Sequence, residues 1–138
     1  MRRCSIGELV GFAEADQGFN ADLRLNQAEV YEDGSFALVA TVEEYMLNPY
    51  GIIHGGALFT LCDNAAGTFM SVQGRYSVTM NSELSFYLPC RLGDELRARP
   101  SARKLGKTVS IVQVEVLNQR DERVADGLFH MYRANYRE

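Results

Sequence analysis

Between Asn48 and Met70 the chain gathers side chains that could act on a carbonyl: Asn48, His54, the pair Gly55-Gly56, and Asp63, the one carboxylate of an otherwise apolar stretch. Leu58, Leu61, Ala65 and Phe69 recur at helical spacing, and Gly56, Thr60, Asp63 and Gly67 form a second stripe that is small or polar. Cys62, Ala66 and Met70 fill the flanks, so little of this helix is made for open water. A carboxylate is seldom placed on such a helix without a partner or a task, which makes Asp63 the first catalytic candidate.

Gly55-Gly56 falls where the helix should begin. N–H groups there have no intrahelical acceptor and point outward with the positive end of the helix dipole, an arrangement that suits an anion or a developing oxyanion. On spacing alone, the glycines serve equally well to make the turn. His54 is the second candidate base, although a histidine just before a helix is more often a structural hydrogen-bonding residue. Asn48 offers an amide donor or a hold on water; by itself, before Pro49, it would be only a turn former. Eight residues at 1.5 Å rise put Asp63 roughly 12 Å along the axis from Gly55. An attacking group and an oxyanion donor must each lie about 3 Å from one carbonyl. One copy of the helix cannot supply both, so the spacing predicts a homodimer with two equivalent sites at its interface.

The elements that must position these groups follow from periodicity. A short first helix is expected over 5–16, where Ser5 and Glu8 have the spacing of a capping box. Strands are expected over 23–32 and 35–43, joined by Asp33-Gly34, a dipeptide suited to the positive φ angles of a tight hairpin. The turn 48–51 leads into a long helix from 55 to about 72. Four alternating runs follow, at 76–88, 95–105, 108–118 and 123–136, the third with Val112, Val114 and Val116 on one face. Their short links predict a four-stranded antiparallel meander. The expected class is α+β: one antiparallel sheet with a single buried helix laid on it.

Length and composition bound the function. With 138 residues the chain suits a single domain, 1–138, with one hydrophobic core. A net charge of -4 argues against a polyanion-binding surface, so no nucleic-acid partner is expected. Three cysteines, Cys4, Cys62 and Cys90, lack any paired spacing; neither a disulfide framework nor a metal site is suggested, and a reducing cytoplasm fits best. Glu8, Glu14 and Asp16 interrupt any secretory apolar region near the start, and no run reaches the roughly 20 apolar residues of a membrane span.

The run Asn48, Gly51, His54-Gly55-Gly56, Leu61, Asp63 resembles the signature of the PaaI-type acyl-CoA thioesterases of the hotdog fold. The likeness continues into Ser77-Val78-Thr79-Met80-Asn81 and Leu105-Gly106-Lys107-Thr108. It implies hydrolysis of a CoA thioester at a dimer interface, commonly within a dimer of dimers and so a homotetramer, with no cofactor. It also implies roles: Asp63 as nucleophile or as general base for water, the Gly55 amide polarising the thioester carbonyl, Asn48 positioning that carbonyl or the water, and Ser77 contacting the water or carboxylate. Gly56, Asn81, Arg103 and Lys107 are the substrate-binding candidates, the two cations for the phosphates of CoA. Tyr45, Tyr50, Phe59 and Phe69 are aromatic candidates for an acyl pocket, although any core would contain such residues.

Competing functions fare worse. Gly106-Lys107-Thr108 ends like a P-loop, but position 101 is serine and the segment joins two strands. No G-x-S-x-G elbow occurs, and only His54 and His130 could serve a serine triad. A hotdog hydratase or dehydratase would place histidine at the centre of its acid–base pair. A catalytically silent acyl-CoA-binding or regulatory module would not need Asp63.

Overall fold

A computed structural model of the chain describes residues 1–134. Ser5 caps the first helix as its spacing predicts: its Oγ accepts from the Glu8 N–H, and the Glu8 carboxylate accepts from the Ser5 N–H. The helix is shorter than expected. α1 spans Ile6–Val10, stopped by Gly11 in the left-handed conformation at φ 86°, where a side chain would be strained. A 3-10 turn over Ala13–Asp16 ends the expected span, and α2, Phe19–Leu23, follows beyond it. Arg2–Ser5 forms a strand, β1, that periodicity did not suggest, because four residues become a strand only through a partner. That partner is β2, Gln27–Val30.

β2 and β3, Phe36–Thr41, make the expected hairpin. Its turn uses a positive φ at Gly34 alone, while Asp33 Oδ1 accepts from the Ser35 N–H and hydroxyl. α3 runs from Gly55 to Val72. The remaining strands are β4, Ser77–Phe86, β5, Glu95–Lys104, β6, Val109–Leu117, and β7, Arg123–Arg133. Positions 135 and 136 of the expected last strand lie outside the described residues.

Among the described residues seven strands join one antiparallel sheet in the order β1-β2-β3-β5-β6-β7-β4. The predicted four-stranded meander is therefore corrected: β5, β6 and β7 are consecutive neighbours, but β4 pairs with β7 at one edge and β5 pairs with β3. The link between β4 and β5 carries the chain across. Tyr87 N–H bonds Val124 O in β7, Cys90 O accepts from Ile53 N–H ahead of α3, and Gly93 N–H reaches Val42 O just past β3. A link pinned at three places can step over the sheet's open end although it is short.

α3 packs against β3, β4, β5, β6 and β7, and one helix can reach five strands only if the sheet curves around it. This is the hotdog arrangement. Leu58, Leu61, Cys62, Ala65, Ala66 and Met70 are buried against Leu38, Leu96, Val112, Val114, Val116 and Phe129. The stripe Gly56, Thr60, Asp63, Gly67 stays partly open, as its small and polar residues require.

Candidate active site

Asp63 sits in the third turn of α3, half-buried among apolar neighbours. Thr79 on β4 donates its hydroxyl to Asp63 Oδ1 at 2.5 Å, a short charge-assisted bond that holds the carboxylate on one side and leaves Oδ2 for another partner. The two residues line a cleft of about 470 Å³ with Ser77, Gly67 and Met131. The adjacent Cys62 thiol is pushed up to about 12, first by burial and then by the Asp63 charge.

Thr79 points inward because the strand is irregular. Before the β-bulge at Met80 the odd residues Ser77 and Thr79 turn toward the helix; after it the even residues Ser82 and Leu84 do. Without the extra residue, the register that buries Leu84 would turn Thr79 outward. Simple alternation could not have singled out Thr79. The available signal was its place in a Ser77-x-Thr79 pair of inward hydroxyls, and only the helix position chooses between them. Ser77 lines the same cleft but donates to Arg75 O at 2.7 Å.

The start of α3 is built differently from its middle. His54 is the N-cap, and its Nδ1 accepts from the Gly56 N–H at 2.8 Å. That bond occupies Nδ1 and leaves Nε2 as the ring nitrogen open to another partner. The His54 carbonyl takes the N–H groups of Ala57 and Leu58. Of the first four helical donors only Gly55 N–H has no acceptor among the described residues. A Cβ at Gly55 would meet only the Phe86 ring, at 3.7 Å, so nothing within the chain demands glycine there. Gly55 faces a separate cleft beside Phe86, Tyr87 and Leu88.

Asn48 closes the preceding turn, its Oδ1 accepting from the N–H groups of Tyr50 and Ile52 while Gly51 takes φ 79°. Its Nδ2 has no partner among the described residues. Asn81 is exposed on β4 across from His130. Arg103 donates to Gln113 Oε1 on the outer side of β5, and Lys107 lies exposed in the β5–β6 turn, whose Gly106 carbonyl accepts from Arg75. The structure thus gathers Asp63, Ser77 and Thr79 in one cleft and His54, Gly55, Gly56 and Asn48 near the helix start. Arg103 and Lys107 lie apart from both groups. Tyr45, Tyr50, Phe59 and Phe69 do not line the Asp63 cleft; Phe59 packs on Phe129 instead.

Residues 50–125 match the sequence profile described as the thioesterase superfamily. Acyl-coenzyme A thioesterase PaaI of Escherichia coli (strain K12) is 36% identical over 94 residues, which cover 67% of this chain and 67% of that protein. A Streptococcus mutans UA159 protein solved bound to acetyl CoA is 32% identical, with a TM-score of 0.75 over 80% of this chain and 90% of the other. A hypothetical thioesterase of Streptococcus pneumoniae TIGR4, solved with coenzyme A, is 31% identical, with a TM-score of 0.75 over 80% and 87%. Two variants of a hypothetical thioesterase from that same strain have been solved, one with an aspartate and one with a threonine replaced by alanine. Those two positions are 16 residues apart, as are Asp63 and Thr79.

Proposed function

The chain belongs to the thioesterase superfamily, and from that premise we propose that it hydrolyses an acyl-CoA thioester to a free acid and CoA, with Asp63 as nucleophile or general base. The observation that carries this reading is the Asp63 carboxylate held by Thr79 in an otherwise uncharged cleft. Asp63 Oδ2 either attacks the thioester carbon, expelling the CoA thiolate and forming a mixed anhydride that water then hydrolyses to the free acid and the Asp63 carboxylate, or takes a proton from a water that attacks the thioester carbon directly; each route consumes one water and releases the CoA sulfur as the thiol. Gly55 N–H stabilises the oxyanion, and His54 keeps the neighbouring Gly56 N–H occupied so that a single donor faces the ligand. Thr79 is added to the residues implied by the family resemblance, as the group that orients Asp63.

Asp63 and Gly55 line different clefts of one chain, which supports a site shared between two copies. β4 forms an edge of the sheet, ten residues long, with Val78, Met80 and Phe86 exposed along it. An uncovered edge of that length is a template for another strand. Thr79 lies by Asp63 at one end of β4, and Phe86 lies by Gly55 at the other. Antiparallel pairing of two β4 strands about a two-fold axis between those ends brings each Asp63 toward the other chain's Gly55. We extend the proposal to a homodimer, arranged as a dimer of dimers, with acyl-CoA as its partner and the cytoplasm as its compartment. The three free, buried cysteines accord with a reducing environment.

Thiol release from a panel of acyl-CoAs tests the activity. Asp63→Asn is expected to lower kcat by about 10²–10⁴-fold with ligand binding retained, and Thr79→Ala by less. Full activity in Asp63→Asn removes the assignment, and tight binding without turnover by the wild type makes the chain a silent acyl-CoA-binding module.

A further inference from the structure

The N-terminal segment supplies one wall of the Asp63 cleft, through Ile6 and Val10 of α1, Phe12 and Ala15. Phe12 stands edge-on to Tyr76, with ring centroids 6.4 Å apart. The segment is fastened around this wall. Asp16 Oδ1 accepts from the Gly7 N–H at 2.9 Å and from Asn26 Nδ2 at 3.2 Å, and Asn64 of α3 donates to Leu25 O at 3.3 Å. A Cβ on Gly7 would lie 2.2 Å from Asp16 Oδ2, so this close approach depends on glycine at position 7. On α3, Gly67 lines the same cleft one turn beyond Asp63, with no atom within 4 Å of where its Cβ would be. A glycine inside a helix costs stability and here relieves no contact within the chain, so it leaves space in the cleft itself. Apart from Asp63, no charged side chain among the described residues lines this space.

Building on the acyl-CoA thioesterase reading, we propose that the N-terminal wall selects the acyl group: an uncharged acyl chain lies between Phe12 and Gly67, and Phe12 limits its bulk. A carboxylate on the acyl tail would find no cation among this chain's own lining residues and would face the Asp63 charge. The acyl group therefore belongs to the monocarboxylic class, and its permitted size follows from the distance between an aromatic ring and a bare backbone.

The test uses 2-oxoalkyl thioethers of CoA, which carry a ketone in place of the thioester carbonyl and resist hydrolysis. Dissociation constants are measured for short, bulky and ω-carboxylated tails on the wild type, Phe12→Ala and Gly67→Ala. Phe12→Ala is expected to improve the bulky tail relative to the short one by about tenfold, and Gly67→Ala to shift the ratio the other way. CoA itself should bind all three proteins alike, and the ω-carboxylated tail should bind at least about tenfold more weakly than its uncharged counterpart. Unchanged ratios in both variants overturn the proposal. Should Phe12→Ala fail to fold, Gly67→Ala decides alone, because its added methyl meets no atom of the chain. The expected selectivity without thiol release by the wild type would keep the selecting wall and remove the hydrolase; absence of binding by every analogue removes both.

Discussion

At the scale of single residues, the site divides into groups that face a ligand and groups that hold them. On the proposed reading His54 is of the second kind, because its Nδ1 accepts from the Gly56 N–H and is occupied by the cap. Replacing it by asparagine, a good N-cap residue, should leave turnover within a few-fold of wild type. His54→Ala should cost about 0.5–2 kcal/mol of stability, read from denaturant unfolding. Equal loss of kcat in both variants would make the imidazole itself the active group. The cysteines give a second prediction. Burial, aided by Asp63, pushes the Cys62 thiol up to about 12, and burial followed by Asp94 pushes Cys90 up to about 11, against 9.0 for an ordinary thiol. Both should resist alkylation at pH 8 until the protein unfolds. Because the unfolded thiols ionise first, the stability they contribute is complete below about pH 9 and is lost as pH rises through the folded values. Unfolding midpoints measured from pH 8 upward should fall accordingly, and replacing Cys62 by alanine should flatten that fall.

At the scale of elements, β4 is decisive because one strand both orients the carboxylate and lies exposed at the edge of the sheet. Its bulge at Met80 switches which residues face α3, from Ser77 and Thr79 before it to Ser82 and Leu84 after it. Deleting Met80 should restore plain alternation, keep Leu84 inward and turn Thr79 away from Asp63. The expected result is a folded protein with one cooperative unfolding transition and a kcat no higher than that of Thr79→Ala. Wild-type kcat in the deletion would mean that the bulge does not position the hydroxyl. The long helix and the β2–β3 hairpin were readable because their signals are local: a run of apolar residues at helical spacing, and Asp33-Gly34 at a turn. The neighbours of β4 and β5 were not, because the pinned link between them overrides the rule that short connections join adjacent strands.

At the scale of the whole molecule, the proposed dimer makes two claims that separate experimentally. Charge on the open edge, as in Met80→Lys, should give a monomer in sedimentation and lose thiol release, since each site then lacks its oxyanion donor. Mixing Asp63→Asn with Gly55→Val, each inactive alone, should regain about a quarter of wild-type activity after subunit exchange. Half of the dimers are then mixed, and each carries one complete site. No recovery despite exchange would put the whole site within one chain.

Sequence patterns alone were enough for the class of structure and for the residues around which the site is proposed: a long helix with one carboxylate in its open stripe, a glycine pair at its start, and strands enough to surround it. These depend on periodicity and residue type within a few turns of chain, where side-chain size and backbone freedom act locally. Tertiary structure alone decided that Thr79 meets Asp63, that His54 takes the Gly56 N–H and leaves Gly55 free, and that Phe12 walls the cleft. The Thr79 and Phe12 contacts join residues far apart along the chain through a bulge and a folded-back N-terminal segment. The His54 bond depends on how the ring turns at the helix start. The first two contacts are settled by which surfaces pack together, and no local pattern carries that information.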